Sequence, residues 1–386
     1  MGEISQFRFP TDIRFGPGSR SALADFAQDF NVTHPLIVTD SGLVETDAFR
    51  LVTQRADAVW PDGYAKFTGV HPNPSDEDVE NAWKAYADGK CDGVIGLGGG
   101  SAIDAAKAML LKTAFPDTAI SEIPFDKLPA ELAPLCAIST TAGTGSEVGR
   151  SAVITIKAEN RKGVFGGPPL MPKMAILDPE LTVGLPANLT AATGMDALVH
   201  AIEAYVCPVL HPMCDGIALE AIRLVHDYLP KAYADGTDIH ARGMMQLAAS
   251  MGAVAFQKDL GAVHSMAHPL STICGVQHGL ANAVCLAPVI KFNKDICADR
   301  YARIAQCFNI NTFELTDAEA TDKLVEAIEQ LNSRIGIPAT LAEVGVKEDQ
   351  LEQLADDAFK DPCHPANPRS CTRKDFLALY KEAYGK

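Results

Sequence analysis

"GVIGLGGGSAIDAAK", residues 93–107, runs from a buried strand through a glycine turn into a helix. Val94, Ile95 and Leu97 form the strand, and Ala102, Ile103, Ala105 and Ala106 begin an apolar helix. Gly98, Gly99 and Gly100 let the backbone approach a ligand without Cβ obstruction. Ser101 and Asp104 fit the S-x-x-D capping pattern, which predicts a helix starting at Ser101. Its bare N–H groups and positive dipole end would attract a phosphate. The stretch is not the dinucleotide fingerprint, because the last glycine of GxGxxG is missing and no acidic residue ends a strand about twenty residues later.

Working outward, "PLIVTD" (35–40), "LCAIST" (135–140), "SAVITI" (151–156) and "MAILDP" (174–179) read as further buried strands. Helical patterns at 78–90 and 101–112 lie between strands, and this alternation predicts a parallel, Rossmann-like sheet covered on both faces. After residue 185 the rhythm changes. Helical periodicity dominates over 188–206, 213–235, 238–257, 276–290 and 318–335. The sequence therefore predicts an α/β domain over 1–185 and an all-α domain over 186–386.

The 386-residue chain is 47 % apolar and 21 % charged, the balance of a globular protein, and its net charge is −16. With no basic cluster, nucleic acid is not an expected partner. The N-terminus lacks the pattern of a signal peptide, and no apolar run approaches the ~18 residues of a membrane span. Ten cysteines are scattered without a CxxC, so the expectation is reduced thiols in the cytoplasm.

Two further strand ends carry polar groups. Asp40 closes "PLIVTD", where a carboxylate can bind ribose hydroxyls and repel a 2′-phosphate, favouring NAD over NADP. Its structural alternative is to cap a helix starting near Ser41. "ISTTAGTGSEVG" (138–149) offers the hydroxyls of Thr140, Thr141, Thr144 and Ser146.

The second half supplies a different chemistry. In "ATGMDALVHAIEAY" (192–205) Asp196 and His200 are four apart among apolar residues. In "GAVHSMAHPLSTICGVQHG" (261–279) His264 and His268 repeat that spacing, and His278 follows. Residues i and i+4 share a helix face, and a carboxylate among apolar residues needs a counter-charge or a cation. One carboxylate with imidazoles suits Fe(II) or Zn(II) rather than Ca(II) or Mg(II). Five candidates exceed what a tetrahedral site needs, and spacing leaves open which histidine is spare.

In order along the chain, "GGGSAIDAAK", "TTAGTGSEV", "LDPELT", "TGMDALVHAIEAY" and "GAVHSMAHPL…HGLANAV" resemble the iron-containing (group III) alcohol dehydrogenases, as does the tail "NPRSCTRKDFLALYKEAY". The resemblance covers essentially the whole chain and implies the two-domain, dehydroquinate synthase-like architecture. It implies metal ligands Asp196, His200, His264 and His278, with His268 near the reactive end of the nicotinamide. Gly98, Gly99, Gly100 and Ser101 match the pyrophosphate loop. Thr140, Thr141, Asn73, Ser151 and Lys162 match cofactor-side positions, and Asp40 matches the acidic position that goes with NAD. The implied reaction is hydride transfer between NAD(H) and a small primary alcohol or aldehyde, with iron, or alternatively zinc, as Lewis acid. A homodimer or larger homo-oligomer is expected, with "IRFGPGS" supplying an edge strand for pairing.

Some positions depart from the family pattern. Gln257 and Lys258 stand where small residues and Asn are frequent, and Gly149 and Ser151 replace larger or hydroxylated residues. Lys258, with Arg150, is therefore expected to favour an aldehyde bearing an anionic group; otherwise Lys258 is a solvated helix-end charge. The alternatives are a hydroxyacid–oxoacid transhydrogenase and a dehydroquinate-synthase-like enzyme on the same scaffold.

Overall fold

The computed structural model describes residues 11–159 and 161–386. The reading of the N-terminus as lacking a signal peptide falls largely on residues 1–10, outside the described residues. The chain divides into two compact units, one ending at Leu185 and the other containing Pro186–Lys386.

In the first unit, β1 (Asp12–Phe15), β2 (Pro35–Asp40), β3 (Ala65–Val70), β4 (Gly93–Gly98), β5 (Leu135–Ser139) and β8 (Met174–Leu177) form a six-stranded sheet of order β1-β8-β5-β4-β2-β3. Every pairing is parallel. Along the central strands β2, β4 and β5 the side chains alternate and feed two cores. Leu36, Val38 and Val94 pack with Val79, Ala82, Ala105 and Met109 from helices α3 (Asp76–Asp88) and α4 (Gly100–Ala114). Ile37, Ile95 and Leu97 pack with Leu23, Phe26, Val52 and Ala56 from α1 (Leu23–Asp29) and α2 (Asp47–Val59). Burial on both faces is why the strands read as continuous apolar runs.

Three expectations are corrected here. "SAVITI" is not a strand of the parallel sheet: β6 (Ser151–Ile156) pairs antiparallel with β7 (Arg161–Gly166) in a separate two-stranded hairpin. Ala152, Ile154 and Ile156 are buried in the core that includes α4 residues, which gives the segment its sheet-like pattern. The helix after the glycine turn begins at Gly100, one residue earlier than predicted, with Gly99 as N-cap and no side-chain cap. Asp104 does not cap it because its carboxylate accepts from Ser146 Oγ at 2.5 Å and from the Val153 N–H at 2.8 Å. Nor does a helix start near Ser41; Asp40 closes a turn by accepting from the Leu43 N–H at 3.0 Å, and α2 is capped by Thr46.

The second unit contains α5 (Ala187–Val206), α6 (Pro212–Ala234), α7 (Ile239–Ala255), α8 (Ala262–Ile273), α9 (His278–Cys307), α10 (Asp317–Arg334), α11 (Leu351–Lys360) and α12 (Arg373–Tyr384). α5 is buried on nearly all sides, packed against α6, α7 and α9. α9 is longer than the sequence pattern indicated and breaks at Cys297, whose φ of −139° and ψ of 35° are not helical. Among the described residues no helix is long and apolar enough to cross a membrane.

Candidate functional site

The helical unit gathers four of the five predicted metal-ligand candidates. Asp196 and His200 are successive turns of α5, His264 is on α8, and His278 opens α9. Around Asp196 Oδ1, the Nε2 atoms of His278, His264 and His200 lie at 3.6, 3.7 and 3.8 Å. Ligands about 2.0–2.2 Å from a tetrahedral ion stand roughly 3.4 Å apart, so each imidazole stands from Asp196 at about the spacing of two ligands on one ion. Asp196, His200 and His264 are buried, and each brings a donor atom within 4.8 Å of the other two.

The electrostatics also favour positive charge. Burial would push the Asp196 carboxyl up, but His200, His278 and His264 outweigh it and hold it well below the usual carboxylate range. Burial works against charge on His264 too, yet Asp196 and Glu203 push its pKa up to about 9. These are the properties of a pocket that stabilises a cation.

Two residues absent from the sequence reading complete the surroundings. Asn282 donates from Nδ2 to Asp196 Oδ1 at 2.8 Å, and the same nitrogen lies 3.4 Å from His264 Nε2 and 3.3 Å from His278 Nε2. Glu203 Oε2 accepts from His264 Nδ1 at 2.6 Å. Both were accessible to helical spacing: Asn282 follows His278 by four, and Glu203 follows His200 by three.

His268 occupies a separate position. Its ring stacks on His278 with centroids 5.4 Å apart, and Nδ1 donates to Asp361 Oδ2 at 2.7 Å. Asp361 also accepts from Ser265 Oγ at 2.8 Å and from the Cys363 N–H at 2.9 Å. Burial would raise the Asp361 carboxyl, but these bonds, led by His268, bring it down to about 2. The sequence reading missed Asp361, which sits in the irregular "KDPCHP" segment where periodicity gives no signal.

Lys258 requires a correction. It is neither a substrate-facing charge nor a solvated one: the side chain is 1 % exposed and its ammonium donates to Asp215 Oδ1 at 2.5 Å and the Tyr205 carbonyl at 3.4 Å. Asp215 is shared with Arg300 at 2.8 Å. The charge that was expected to recognise an anion is already paired in the fold.

In the α/β unit the predicted cofactor residues fall in two groups. Gly98, at φ +144°, ends β4 with its Cβ position 3.4 Å from Asp40 Oδ2. The Thr140 N–H donates to the Gly98 carbonyl at 3.0 Å. A Cβ on Gly99 would sit 3.2 Å from Thr141 Cγ2, and one on Gly100 would sit 2.7 Å from Thr144 Cγ2. The two small-residue loops therefore pack directly together, and Ser101 lies half-buried at the start of α4. The second group gathers at the hairpin. Asn73, exposed and left-handed at φ +54°, precedes Pro74, whose carbonyl accepts from the Thr155 N–H at 2.7 Å. Lys162 pairs across from Thr155 in the hairpin, while Ser151 and Arg150 are exposed at its start. Beneath them Lys107, fully buried and unpredicted, donates to the Ser146 and Ser151 carbonyls and to Ser146 Oγ.

The profile described as "Iron-containing alcohol dehydrogenase" matches residues 10–179, and that described as "Fe-containing alcohol dehydrogenase family, C-terminal" matches 190–384. An NAD-dependent methanol dehydrogenase of Bacillus methanolicus is 38 % identical over 381 residues, covering 98 % of this chain and 100 % of that protein. A 4-hydroxybutyrate dehydrogenase of Cupriavidus necator is 36 % identical, covering 97 % of this chain and 98 % of its own length. The crystal structure of a 1,3-propanediol oxidoreductase superposes with a TM-score of 0.95 at 35 % identity, covering 99 % of this chain and 100 % of its own. Profiles over both units and relatives aligned nearly end to end lead to one conclusion: this chain belongs to the iron-containing alcohol dehydrogenase family.

Proposed function

We propose that the chain is an NAD(H)-linked, iron-dependent alcohol dehydrogenase that interconverts small primary alcohols and their aldehydes. The observation that carries this reading is the convergence of three imidazole Nε2 atoms on Asp196 Oδ1. Asp196, His200, His264 and His278 would hold Fe(II), with Zn(II) as the alternative. A divalent cation there supplies Lewis acidity toward the oxygen of the substrate. Bound nicotinamide supplies the hydride chemistry, and the name of the Bacillus methanolicus relative supports NAD as its form.

The chain's own residues then bind and orient. Asp40 receives ribose hydroxyls and disfavours a 2′-phosphate. Gly98, Gly99, Gly100 and Ser101 present the N-terminus of α4 to the pyrophosphate. Thr140, Thr141, Asn73, Ser151 and Lys162 complete the cofactor contacts. His268 is the proton-handling residue: Asp361 holds its Nδ1–H, which leaves Nε2 to take or give the proton.

With Lys258 already paired, recognition of an anionic aldehyde would rest on Arg150 alone, and an uncharged substrate is the better supported class. We also assign the chain to the cytoplasm, in keeping with free thiols at all the described cysteines. A homodimer or larger assembly is supported by β1, an edge strand with Ile13 and Phe15 exposed.

The test is NADH oxidation by anaerobically iron-loaded protein with short neutral and carboxylate-bearing aldehydes, beside zinc-loaded, metal-free and Asp196→Ala protein. Turnover is expected with metal only and is lost in the variant. Turnover in metal-free protein, or none with bound metal and NADH, would sink the reading.

A further inference from the structure

Behind the candidate metal centre, Glu203 uses both carboxylate oxygens at once. Oε2 accepts from His264 Nδ1 at 2.6 Å, and Oε1 accepts from the Val263 backbone N–H at 2.7 Å. The side chain is 4 % exposed, and Gly261 leaves it room, since a Cβ there would lie 2.9 Å from Oε1. A carboxylate oxygen only accepts, and with Oε1 taken by the Val263 N–H, Oε2 matches a hydrogen on His264 Nδ1. For a neutral, ligating His264 the hydrogen then belongs on Nδ1, which leaves Nε2, 3.7 Å from Asp196 Oδ1, as the ligating atom. Two buried carboxylates, Asp196 and Glu203, would together offset the two charges of a divalent ion ligated by neutral imidazoles.

We propose that Glu203 is a positioning residue that fixes His264 in the one tautomer able to ligate through Nε2 and thereby sets the metal affinity of the centre. The proposal rests on the metal-site reading above. Glutamine tests it, because an amide has one acceptor oxygen and must turn its NH2 toward either Val263 or His264. An NH2 facing His264 makes Nδ1 the acceptor and places the hydrogen on Nε2, the ligating atom.

Co(II) titrations of full-length wild type, Glu203→Gln and Asp196→Ala, read by d–d absorption, separate the possibilities. Wild type that binds no Co(II) would overturn the metal-site reading itself. Where wild type binds and Asp196→Ala does not, Glu203→Gln is expected to bind about 10- to 100-fold more weakly, with a shifted ligand-field spectrum. Affinity within about 3-fold of wild type and an unchanged spectrum would overturn the role of Glu203 alone. Should Glu203→Gln fail to fold, zinc-loaded wild type labelled with 15N-histidine still decides. His264 should carry its proton on Nδ1, shifted downfield by the carboxylate; a proton on Nε2 would overturn the proposal.

Discussion

Asp361 accepts three hydrogen bonds, from His268, Ser265 and the Cys363 backbone. A carboxyl held at about 2, below its usual value near 4, stabilises the fold fully above about pH 4 and loses that contribution as pH falls toward about 2. Asp361→Asn should therefore cost about 2 kcal/mol at neutral pH by urea unfolding. The gap to wild type, in the same metal state, should shrink by about half on going from pH 5 to pH 3; a constant gap would refute the assignment. Lys258 gives the opposite lesson. Lys258→Met should lower the melting temperature, at or below the about 3–5 kcal/mol seen when a buried ion pair is broken, because Arg300 still neutralises Asp215. It should leave the ratio of kcat/KM for charged and neutral aldehydes unchanged. A selective loss on the charged substrate would restore the role first read for Lys258. The sequence sets this lysine shortly before His264, but its partner Asp215 lies 43 positions away, and spacing along the chain carries no trace of such a pair.

At the scale of elements, α5 and α9 meet backbone to backbone. A Cβ at Gly279 would fall 2.0 Å from the Ala192 carbonyl oxygen and 3.2 Å from Asp196 Cβ. Gly279→Ala must push the start of α9 off α5 and carry His278 with it. We expect a loss of at least the about 1–3 kcal/mol of an overpacked core, together with weaker metal retention, measured by thermal melting and metal analysis of the same sample. Unchanged metal content at a lowered melting point would show that His278 follows the shift freely. The helices of the second unit were legible because apolar residues recur with the helical period over long stretches. β6 was misplaced because the alternation of Ala152, Ile154 and Ile156 records burial, while the choice of partner strand is written elsewhere, in the polar, glycine-bearing "RKGVFG" of β7. The half-exposed edge strand β3 has too little apolar pattern to announce itself.

Across the whole molecule the two chemistries separate by unit. Every residue proposed to hold metal lies within Pro186–Lys386, and every one proposed to hold nucleotide lies before Leu185. Asp196→Ala should accordingly lose metal yet bind NADH within about 3-fold of wild type by fluorescence titration, because 1.4 kcal/mol would already be tenfold. A parallel collapse of NADH affinity would mean that the nucleotide needs the metal centre. The sequence marked both sets of residues through their motifs. Helical spacing sets Glu203 and Asn282 on the ligand faces of their own helices, but their partners on other elements, and Asp361 in its irregular segment, leave no mark in the sequence.

The hydrogen bonds that frame the metal pocket join residues 61 and 86 positions apart, Glu203 to His264 and Asp196 to Asn282. Closing such loops is the slow, entropically costly part of folding, and here ordinary hydrogen bonds and helix packing can close them. An ion arriving afterwards fastens a clasp whose halves already meet. Zinc should then slow unfolding while leaving the refolding rate unchanged, as expected for an interaction formed after the transition state; faster refolding with metal would contradict this. On this account the finished protein takes its ion from the surrounding pool, so supply and exchange decide which metal it carries.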